Sequence, residues 1–167
     1  PKGAMISHSN LRASAEASIR MLGSESDDRW LCCMPLFHIG GLSILIRSVL
    51  AGTSVALHRR FDAKRVSEAL EADRITGISV VTTLLAQIVE WRGERSAPAS
   101  LRLVLLGGGP ASQDLLERAR DLGYPVAPSY GLTEAASQVA TRPPAFPMRR
   151  GEDLRGRLQP LPGTEIR

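Results

Sequence analysis

The sequence predicts an α/β fold, in which a mainly parallel sheet is flanked by helices on both of its faces. Short apolar runs alternate along the chain with segments whose apolar residues recur at helical spacing. The run Leu101–Leu106 is the clearest buried strand, and Ser112–Leu122, which ends at Gly123, is an amphipathic helix. Strict alternation of strands and helices along a chain is typical of parallel sheets with helices packed against them.

The other elements follow from local signals along the chain. Ser9–Leu22 begins with cap-type residues and stops at Gly23, as a helix should. Asp62 is a candidate N-cap for a helix at 61–72, and Pro35 limits how far the ladder of a strand at 30–37 can continue. Further strands are predicted at 53–57, 77–81 and 126–128, and further helices at 41–50 and 83–91.

The character of the sequence changes after Thr141. Residues 1–141 are predicted to form one α/β subdomain. The proline-rich stretch 142–147 and the Gly- and Arg-rich tail after it are typical of a connector. We therefore expect residues 142–167 to lead into a further subdomain. Because the first residue is Pro1 and not Met, we also expect the chain to be a piece of a longer protein.

The composition argues against several classes of function. Apolar residues make up 43% of the chain, which suits a globular domain rather than a disordered one. The net charge of +4 is a mild excess and aromatic residues are scarce, so we expect no nucleic-acid partner. No apolar stretch reaches the roughly 20 residues that span a bilayer, so no membrane span is expected. The sequence leaves the oligomeric state open.

The two cysteines of the chain are the neighbours Cys32 and Cys33. Alternation along a strand would direct them to opposite faces of the sheet, which disfavours a disulfide between them. Buried free thiols in a reducing compartment are the better interpretation, so we expect a cytoplasmic protein.

The stretch Ser129–Glu134 combines groups that suit a nucleotide site. The ring of Tyr130 can stack on a base, and Gly131 lets the backbone approach a ligand closely. The hydroxyl of Thr133 can donate to a phosphate oxygen, and the carboxylate of Glu134 can hold Mg²⁺ beside that phosphate. An ordinary turn that leads into a helix is the alternative interpretation of the same residues.

The predicted topology brings this stretch close to two others. In parallel α/β sheets, ligands bind beyond the carboxyl ends of the strands. His38, the glycine run Gly107–Pro110 and Ser129–Glu134 each lie at or just after such an end. This agreement favours a shared nucleotide site. A tight turn for the glycines and a structural role for His38 are the open alternatives.

Four segments, in order along the chain, resemble the adenylate-forming enzymes: acyl-CoA synthetases, luciferases and the adenylation domains of peptide synthetases. Pro1-Lys2-Gly3, with 7–11 after it, resembles the end of that family's phosphate loop and the helix that follows. Met34–Leu42 resembles its acyl-pocket motif. Leu106–Pro110 and Tyr130–Glu134 resemble its two adenylate-binding segments.

The resemblance implies a central part of the family's large N-terminal domain and a reaction in two steps. A substrate carboxylate attacks the α-phosphate of ATP to give an acyl adenylate and pyrophosphate, and the thiol of coenzyme A then displaces AMP. The implied partners are ATP, Mg²⁺, coenzyme A and a small carboxylic acid. Within the family, the tripled glycine and Ser137-Gln138 are most similar to the o-succinylbenzoate–CoA ligases of menaquinone biosynthesis.

The resemblance also implies a role for each matching residue. Three would be catalytic: Thr133 as donor to the α-phosphate, Glu134 as magnesium ligand, and His38 near the reacting carboxyl group and the path of the thiol. Lys2 would lie near the departing phosphates. The nucleotide would contact Lys2, Gly107, Gly108, Gly109, Pro110, Ser129, Tyr130, Gly131, Leu132 and Thr133. The acid would contact His38, Gly107, Ser137 and Gln138, although Ser137 and Gln138 could equally cap or face out from a helix.

The family's pattern is incomplete in this chain. The body of the phosphate loop, the ribose-binding Asp and the C-terminal domain with its catalytic Lys are missing, so we expect the isolated chain to have little or no ligase activity. The alternatives are another aryl- or fatty-acyl-CoA ligase, a peptide-synthetase adenylation domain or, in a different class, a non-catalytic α/β module that binds adenylate.

Overall fold

The structure is a computed structural model that describes residues 3–142 and 158–165. The helices in these residues are α1 (His8–Leu22), α2 (Ile39–Ala51), α3 (Ala63–Ala72), α4 (Thr82–Arg92) and α5 (Gln113–Asp121). The strands are β1 (Arg29–Cys32), β2 (Ser54–Leu57), β3 (Gly77–Val81), β4 (Leu103–Gly107), β5 (Val126–Leu132), β6 (Ser137–Thr141) and β7 (Gln159–Pro160). A single 3-10 turn, Thr133–Ala135, lies between β5 and β6.

The strands form one mixed sheet in the order β2-β1-β3-β4-β5-β6-β7. The first five are parallel to their neighbours, whereas β6 runs antiparallel to β5, and β7 antiparallel to β6. Helices α3, α4 and α5 pack on one face through Leu70, Ile88 and Leu116, and α1 and α2 on the other through Leu22 and Ile44. The predicted α/β class, a mainly parallel sheet between two layers of helices, is confirmed.

Local sequence signals set most of the element boundaries. Ser7 caps α1 in a reciprocal capping box with Asn10, and α1 ends at Gly23 in the left-handed conformation. Asp62 caps α3 through the backbone amide of Arg65, as predicted. No helix in the described part of the chain is both long and apolar enough to cross a bilayer.

Two strands of the sheet end elsewhere than predicted, and two were not predicted. The strand predicted at 30–37 ends at Cys32, because the chain turns at Met34-Pro35 before α2 begins. The strand predicted at 126–128 continues to Leu132, and the antiparallel β6 was not predicted. Residues 159–160, within the predicted connector, pair with β6. The rest of the connector, 143–157, lies outside the described residues.

The two cysteines lie on opposite faces of the sheet. Cys32 packs in the apolar cluster under α1 and α2, and Cys33 in the cluster under α3, α4 and α5. Both are free and buried, and burial raises the pKa of the Cys33 thiol to about 12. The prediction of buried free thiols without a mutual disulfide is confirmed.

A buried ion pair stabilises the edge of the sheet at which the strands begin. The carboxylate of Asp28 is 1% exposed and accepts hydrogen bonds from Nε of Arg102 at 2.7 Å, Oγ1 of Thr76 at 2.8 Å and the backbone amide of Glu25 at 2.9 Å. Burial acts to raise the pKa of Asp28, but these hydrogen bonds outweigh it and hold that pKa below its usual value.

The lowered pKa of Asp28 makes stability depend on pH. Its contribution to the free energy of unfolding is complete above the unfolded-state pKa of about 3.9 and is lost as the pH falls through the lower folded-state pKa. Asp28→Asn should cost about 1–3 kcal/mol at neutral pH. In urea unfolding, the gap between the two proteins should shrink as the pH falls below about 3.9. A gap that does not change with pH would contradict this explanation.

Candidate functional site

Two of the predicted segments lie side by side where β4 ends and its parallel pairing with β5 stops. Leu106 is opposite Pro128 in the parallel ladder, so the next residues, Gly107 and Ser129, are neighbours. Oγ of Ser129 donates to the backbone carbonyl of Leu106 at 3.1 Å and ties β5 to the end of β4. The glycine turn, Gly107–Pro110, and the start of the Ser129–Glu134 stretch therefore share one edge of the sheet.

The glycine turn presents backbone rather than side chains at this edge. Gly108 has φ +79°, and a Cβ there would lie 2.7 Å from Cγ1 of Val81 at the end of β3. Gly109 has φ +158° and is exposed. Because side chains are disfavoured at these two positions, a planar ligand can approach the main chain closely.

The second segment is a hairpin with a short, strained connection. β5 and β6 are joined by the hairpin loop, Thr133–Ala136, which contains the 3-10 turn. At Gly131 the hairpin strands approach so closely that a Cβ would lie 2.0 Å from the carbonyl oxygen of Ser137. Ala136 and Ser137 have φ values of +55° and +123°, which are unfavourable for residues with side chains. Strain of this kind concentrates at functional sites.

The hairpin loop holds its polar groups out to solvent. Thr133 and Glu134 are both exposed, and their side chains make no hydrogen bond within the described residues. Tyr130 is 57% exposed and Leu132 39% exposed. The alternative interpretation of this stretch, a turn into a helix, is wrong, because one 3-10 turn is followed by β6.

His38 lies at the same edge of the sheet, beyond the end of β1. It is the N-cap residue of α2, its side chain makes no capping hydrogen bond, and it is exposed. The ring of Phe37, 85% exposed, lies 4.6 Å from the imidazole between ring centres. In the strand order, β3 separates β1, which precedes His38, from β4, which precedes the glycine turn.

A close backbone contact at Gly41 fixes the turn that carries His38. A Cβ on Gly41 would lie 2.4 Å from the carbonyl oxygen of Pro35, which also accepts the amide of His38 at 3.2 Å. A Cβ on the neighbouring Gly40 would meet only the flexible end of Met34, at 2.9 Å.

We expect Gly41→Ala to destabilise the chain by about 1–3 kcal/mol, because the overlap is with backbone that cannot rotate away. Gly40→Ala is the matched control and should be near neutral, since alanine gains up to about 1 kcal/mol over glycine in a helix. Thermal unfolding of the two variants measures the difference. Equal unfolding temperatures would contradict the close contact.

The remaining predicted residues are placed less favourably for a ligand. Gln138 is buried, its Oε1 accepts from Oγ of Ser18, and its Nε2 donates to Oγ1 of Thr141 at 2.6 Å. Both ends of its amide are thus occupied, which argues against direct contact with substrate. Ser137 is half-buried and bonds to Ser43 at 3.3 Å. Both lie in β6, so the helix alternative for them is wrong. Lys2 lies outside the described residues.

Arg47 in α2 is not among the predicted site residues. It is 3% exposed, and its Nε and Nη2 have no hydrogen-bond partner within the described residues, while Nη1 donates to Ser43 at 3.3 Å. The guanidinium carbon lies 4.9 Å from the centre of the Trp30 ring. Burial lowers the pKa of Arg47 to about 10, so it stays charged at neutral pH. One arginine in an otherwise apolar helix was the available signal, because arginine is rarely buried without a partner.

Arg47 borders a small cavity beneath the hairpin. The cavity has a volume of about 10 Å³ and is lined by α1, α2 and residues 136–138. That volume suits about one water molecule. A buried positive charge with free donors therefore lies directly behind the strained residues Ala136 and Ser137.

The chemistry of the exposed groups fits magnesium only in part. Among residues 3–142 and 158–165, no group of three or more His, Cys, Asp or Glu could enclose a metal ion. Mg²⁺ does not need such a cage, because it usually keeps several waters and binds one or two carboxylates together with substrate phosphates. The single exposed carboxylate of Glu134 fits that mode.

Fold and site together define an α/β domain with a mainly parallel sheet, and its candidate ligand site lies at the edge where the parallel strands end. The family model described as AMP-binding enzyme matches residues 1–167. The chain belongs to the AMP-binding enzyme family. The predicted resemblance to adenylate-forming enzymes is confirmed.

Individual relatives agree with this assignment. The chain is 45% identical over 141 residues to the 2-succinylbenzoate–CoA ligase of Bacillus cereus. These residues make up 84% of this chain and 29% of the relative. It is also 45% identical, with a TM-score of 0.88, to a double mutant of o-succinylbenzoate CoA synthetase from Bacillus subtilis bound to its product analogue, covering 96% of this chain and 32% of that one.

The same Bacillus subtilis enzyme, in complex with ATP and magnesium ion, gives a TM-score of 0.82 at 45% identity, covering 87% of this chain and 30% of that one. The predicted similarity to o-succinylbenzoate–CoA ligases is therefore confirmed. The chain spans about a third of the length of these relatives.

Proposed function

We propose that this chain is part of an ATP-dependent acid–CoA ligase. The enzyme forms an acyl adenylate and pyrophosphate, and then an acyl-CoA thioester and AMP. Its acid substrate is 2-succinylbenzoate. One observation carries the proposal: the glycine turn and the strained hairpin stand next to each other at the carboxyl edge of the sheet. The 45% identity to 2-succinylbenzoate–CoA ligases supports the choice of acid.

In this proposal the residues of the chain position the nucleotide. Tyr130 lies beside the adenine, and the glycine turn brings its backbone against the adenine and the acyl group. Pro110, Ser129, Gly131 and Leu132 complete the nucleotide contacts. Because charge builds up on the phosphate oxygens during adenylation, catalysis depends mainly on positioning and on electrostatic stabilisation.

Two exposed side chains of the hairpin loop act on the phosphates. The hydroxyl of Thr133 donates to the α-phosphate, and Glu134 holds the magnesium ion. When bound, Mg²⁺ would neutralise negative charge on the phosphates. Lys2 assists near the departing pyrophosphate, and His38 lies beside the reacting carboxyl group and the path of the thiol. Gly107 and Ser137 border the acyl group.

Arg47 would explain why the enzyme prefers an acid with two carboxylates. 2-Succinylbenzoate keeps a second carboxylate on its ring when the succinyl carboxylate reacts. A buried guanidinium with free donors beneath the hairpin can hold that charge through one water in the small cavity. This role for Arg47 takes the place of the predicted contact from Gln138.

The proposed reaction is tested with the longer protein that carries this chain. ATP–pyrophosphate exchange and thioester formation should be strongest with 2-succinylbenzoate. Benzoates, fatty acids and amino acids serve as competing substrates. Preference for one of these would replace the acid but keep the ligase chemistry, whereas ATP binding without exchange for any acid would favour a non-catalytic module.

Arg47→Met should raise the KM for 2-succinylbenzoate roughly 10- to 100-fold, because a hydrogen bond to a charged group contributes about 1.5–3 kcal/mol. An analogue without the ring carboxylate should show almost no change. Arg47→Lys, which keeps the charge, is the control and should recover most of the affinity. A similar loss for both substrates would show that Arg47 does not recognise the second carboxylate.

We also propose a cytoplasmic location, on the basis of the two free cysteines. The division into a subdomain at 1–141 and a connector at 142–167 remains a proposal.

The isolated chain should have little or no ligase activity, because it spans about a third of the length of the relatives. Purified alone, it should not release pyrophosphate above background in the same assay.

A further inference from the structure

Helix α1 is bonded to the hairpin at two successive turns. Oγ of Ser14 donates to the backbone carbonyl of Ala136 at 3.1 Å, at the end of the hairpin loop. One turn further along, Oγ of Ser18 donates to Oε1 of Gln138, whose Nε2 donates to Thr141 at 2.6 Å. The Ser18–Gln138–Thr141 chain, here named the buried network, thus joins α1 to β6.

The buried network is shielded from water. Ser18, Gln138 and Thr141 are 2%, 6% and 0% exposed. Polar groups in such surroundings hold a defined geometry, because each hydrogen bond that is lost leaves an unpaired buried atom. The network therefore fixes the position of β6 relative to α1 more tightly than a surface contact would.

The residues directly before the network are the strained ones. Ala136 and Ser137 hold left-handed φ values of +55° and +123°. Such conformations persist only when the surrounding structure enforces them. The bond from Ser14 reaches Ala136, the first residue of the strained pair, and the bond from Ser18 reaches Gln138, the residue directly after it. They are placed to hold it in that conformation.

The side chains of Thr133 and Glu134 have no hydrogen bonds of their own within residues 3–142 and 158–165, so the backbone alone sets their position. We propose that Ser18 and Gln138 are positioning residues, which fix the hairpin loop so that Thr133 and Glu134 meet the phosphates and the metal correctly. This inference rests on the proposed function. It gives Gln138 a role in the reaction without any contact with substrate.

The test compares two buried serines in the longer protein. Ser18→Ala removes the donor to Gln138. Ser67→Ala is the matched control, because Ser67 is also 2% exposed and donates to a backbone carbonyl in α3, at 2.7 Å. Both variants lose one buried hydroxyl. Ser67 belongs to the opposite face of the sheet, away from the hairpin.

The readouts are the single-turnover rate of adenylation and its dependence on Mg²⁺. Ser18→Ala should lower the rate at saturating ATP and acid about 10- to 100-fold and raise the half-saturating Mg²⁺ concentration, because small displacements of reacting groups are costly. Ser67→Ala should leave both values near wild type. Ser18→Thr, which restores a hydroxyl, should rescue most of the rate.

Hydrogen exchange without ligand separates this inference from the proposed function. The amides of 131–138 should exchange faster in Ser18→Ala than in Ser67→Ala, whether or not the protein is a ligase. Equal exchange in the two variants, or equal adenylation rates in an active protein, would overturn the positioning role. If the wild type activates no acid but the exchange difference is found, the proposed function fails and the structural coupling stands.

Discussion

Gly131→Ala is expected to abolish adenylation by the longer protein, with a loss of at least about 100-fold. A Cβ at this position would lie 2.0 Å from the carbonyl oxygen of Ser137 and 2.8 Å from its carbonyl carbon. Both atoms belong to the backbone, so the overlap is relieved only if β5 and β6 separate. Separation would displace the hairpin loop, and overpacking of this kind typically costs about 1–3 kcal/mol in stability.

Gly52→Ala is the control for the effect of lost stability. Gly52 ends α2 with φ +69°, and a Cβ there would meet no atom within 4 Å. It should therefore destabilise the protein by about 1 kcal/mol through the backbone alone and leave adenylation unchanged. The rate of pyrophosphate release and the unfolding temperature are measured for both variants. Equal rates in the two would contradict the close approach at Gly131.

Glu134→Gln is expected to lower adenylation by roughly 100- to 1000-fold, a range typical of removing one electrostatic contact to a developing charge. The substitution keeps the size of the side chain and removes its charge. The rate that remains should need far more Mg²⁺, because the amide is a poor ligand for a hard cation. The measurement is pyrophosphate release across a magnesium titration.

Glu90→Gln, on the exposed side of α4, is the matched control and should titrate with Mg²⁺ like the wild type. The unfolding temperature of both variants should stay near that of the wild type, because both carboxylates are exposed. Unchanged magnesium dependence in Glu134→Gln would remove the metal role from this residue.

The parallel part of the sheet could be predicted because its central strands are buried on both sides. The run Leu103–Gly107 is apolar, and the helix that follows it, α5, is capped by Ser112. The contact between the glycine turn and Ser129 could also be predicted from topology alone, because neighbouring parallel strands carry their chains to the same edge of the sheet.

The antiparallel part could not be predicted from local pattern. Ser137–Thr141 is short, and alanine and glutamine favour helix more than strand. It becomes a strand because Gly131 permits a bulged, close pairing with β5 and because Gln138 bonds to α1. Pairing of β6 with β7 brings in residues that are distant in sequence. Contacts of this kind are set by tertiary structure.

The same reason explains why the surroundings of Arg47 and Gln138 could not be predicted. A hydrophobic pattern shows which helix face is buried but not which polar groups meet behind it. Arg47 is therefore visible in the sequence only as an exception in an apolar helix. Gln138, which has the chemistry of a substrate ligand, turns inward because Ser18 and Thr141 occupy its amide.

We propose that the residues after β1, after β4 and in the β5–β6 hairpin border one crevice for nucleotide, metal and acid. The decisive experiment is a crystal structure of the longer protein soaked with ATP and Mg²⁺. We expect the adenine against Gly107–Gly109 and Tyr130, the α-phosphate within hydrogen-bond distance of the Thr133 hydroxyl, and the metal on Glu134. Nucleotide bound at any other edge of the sheet would contradict it.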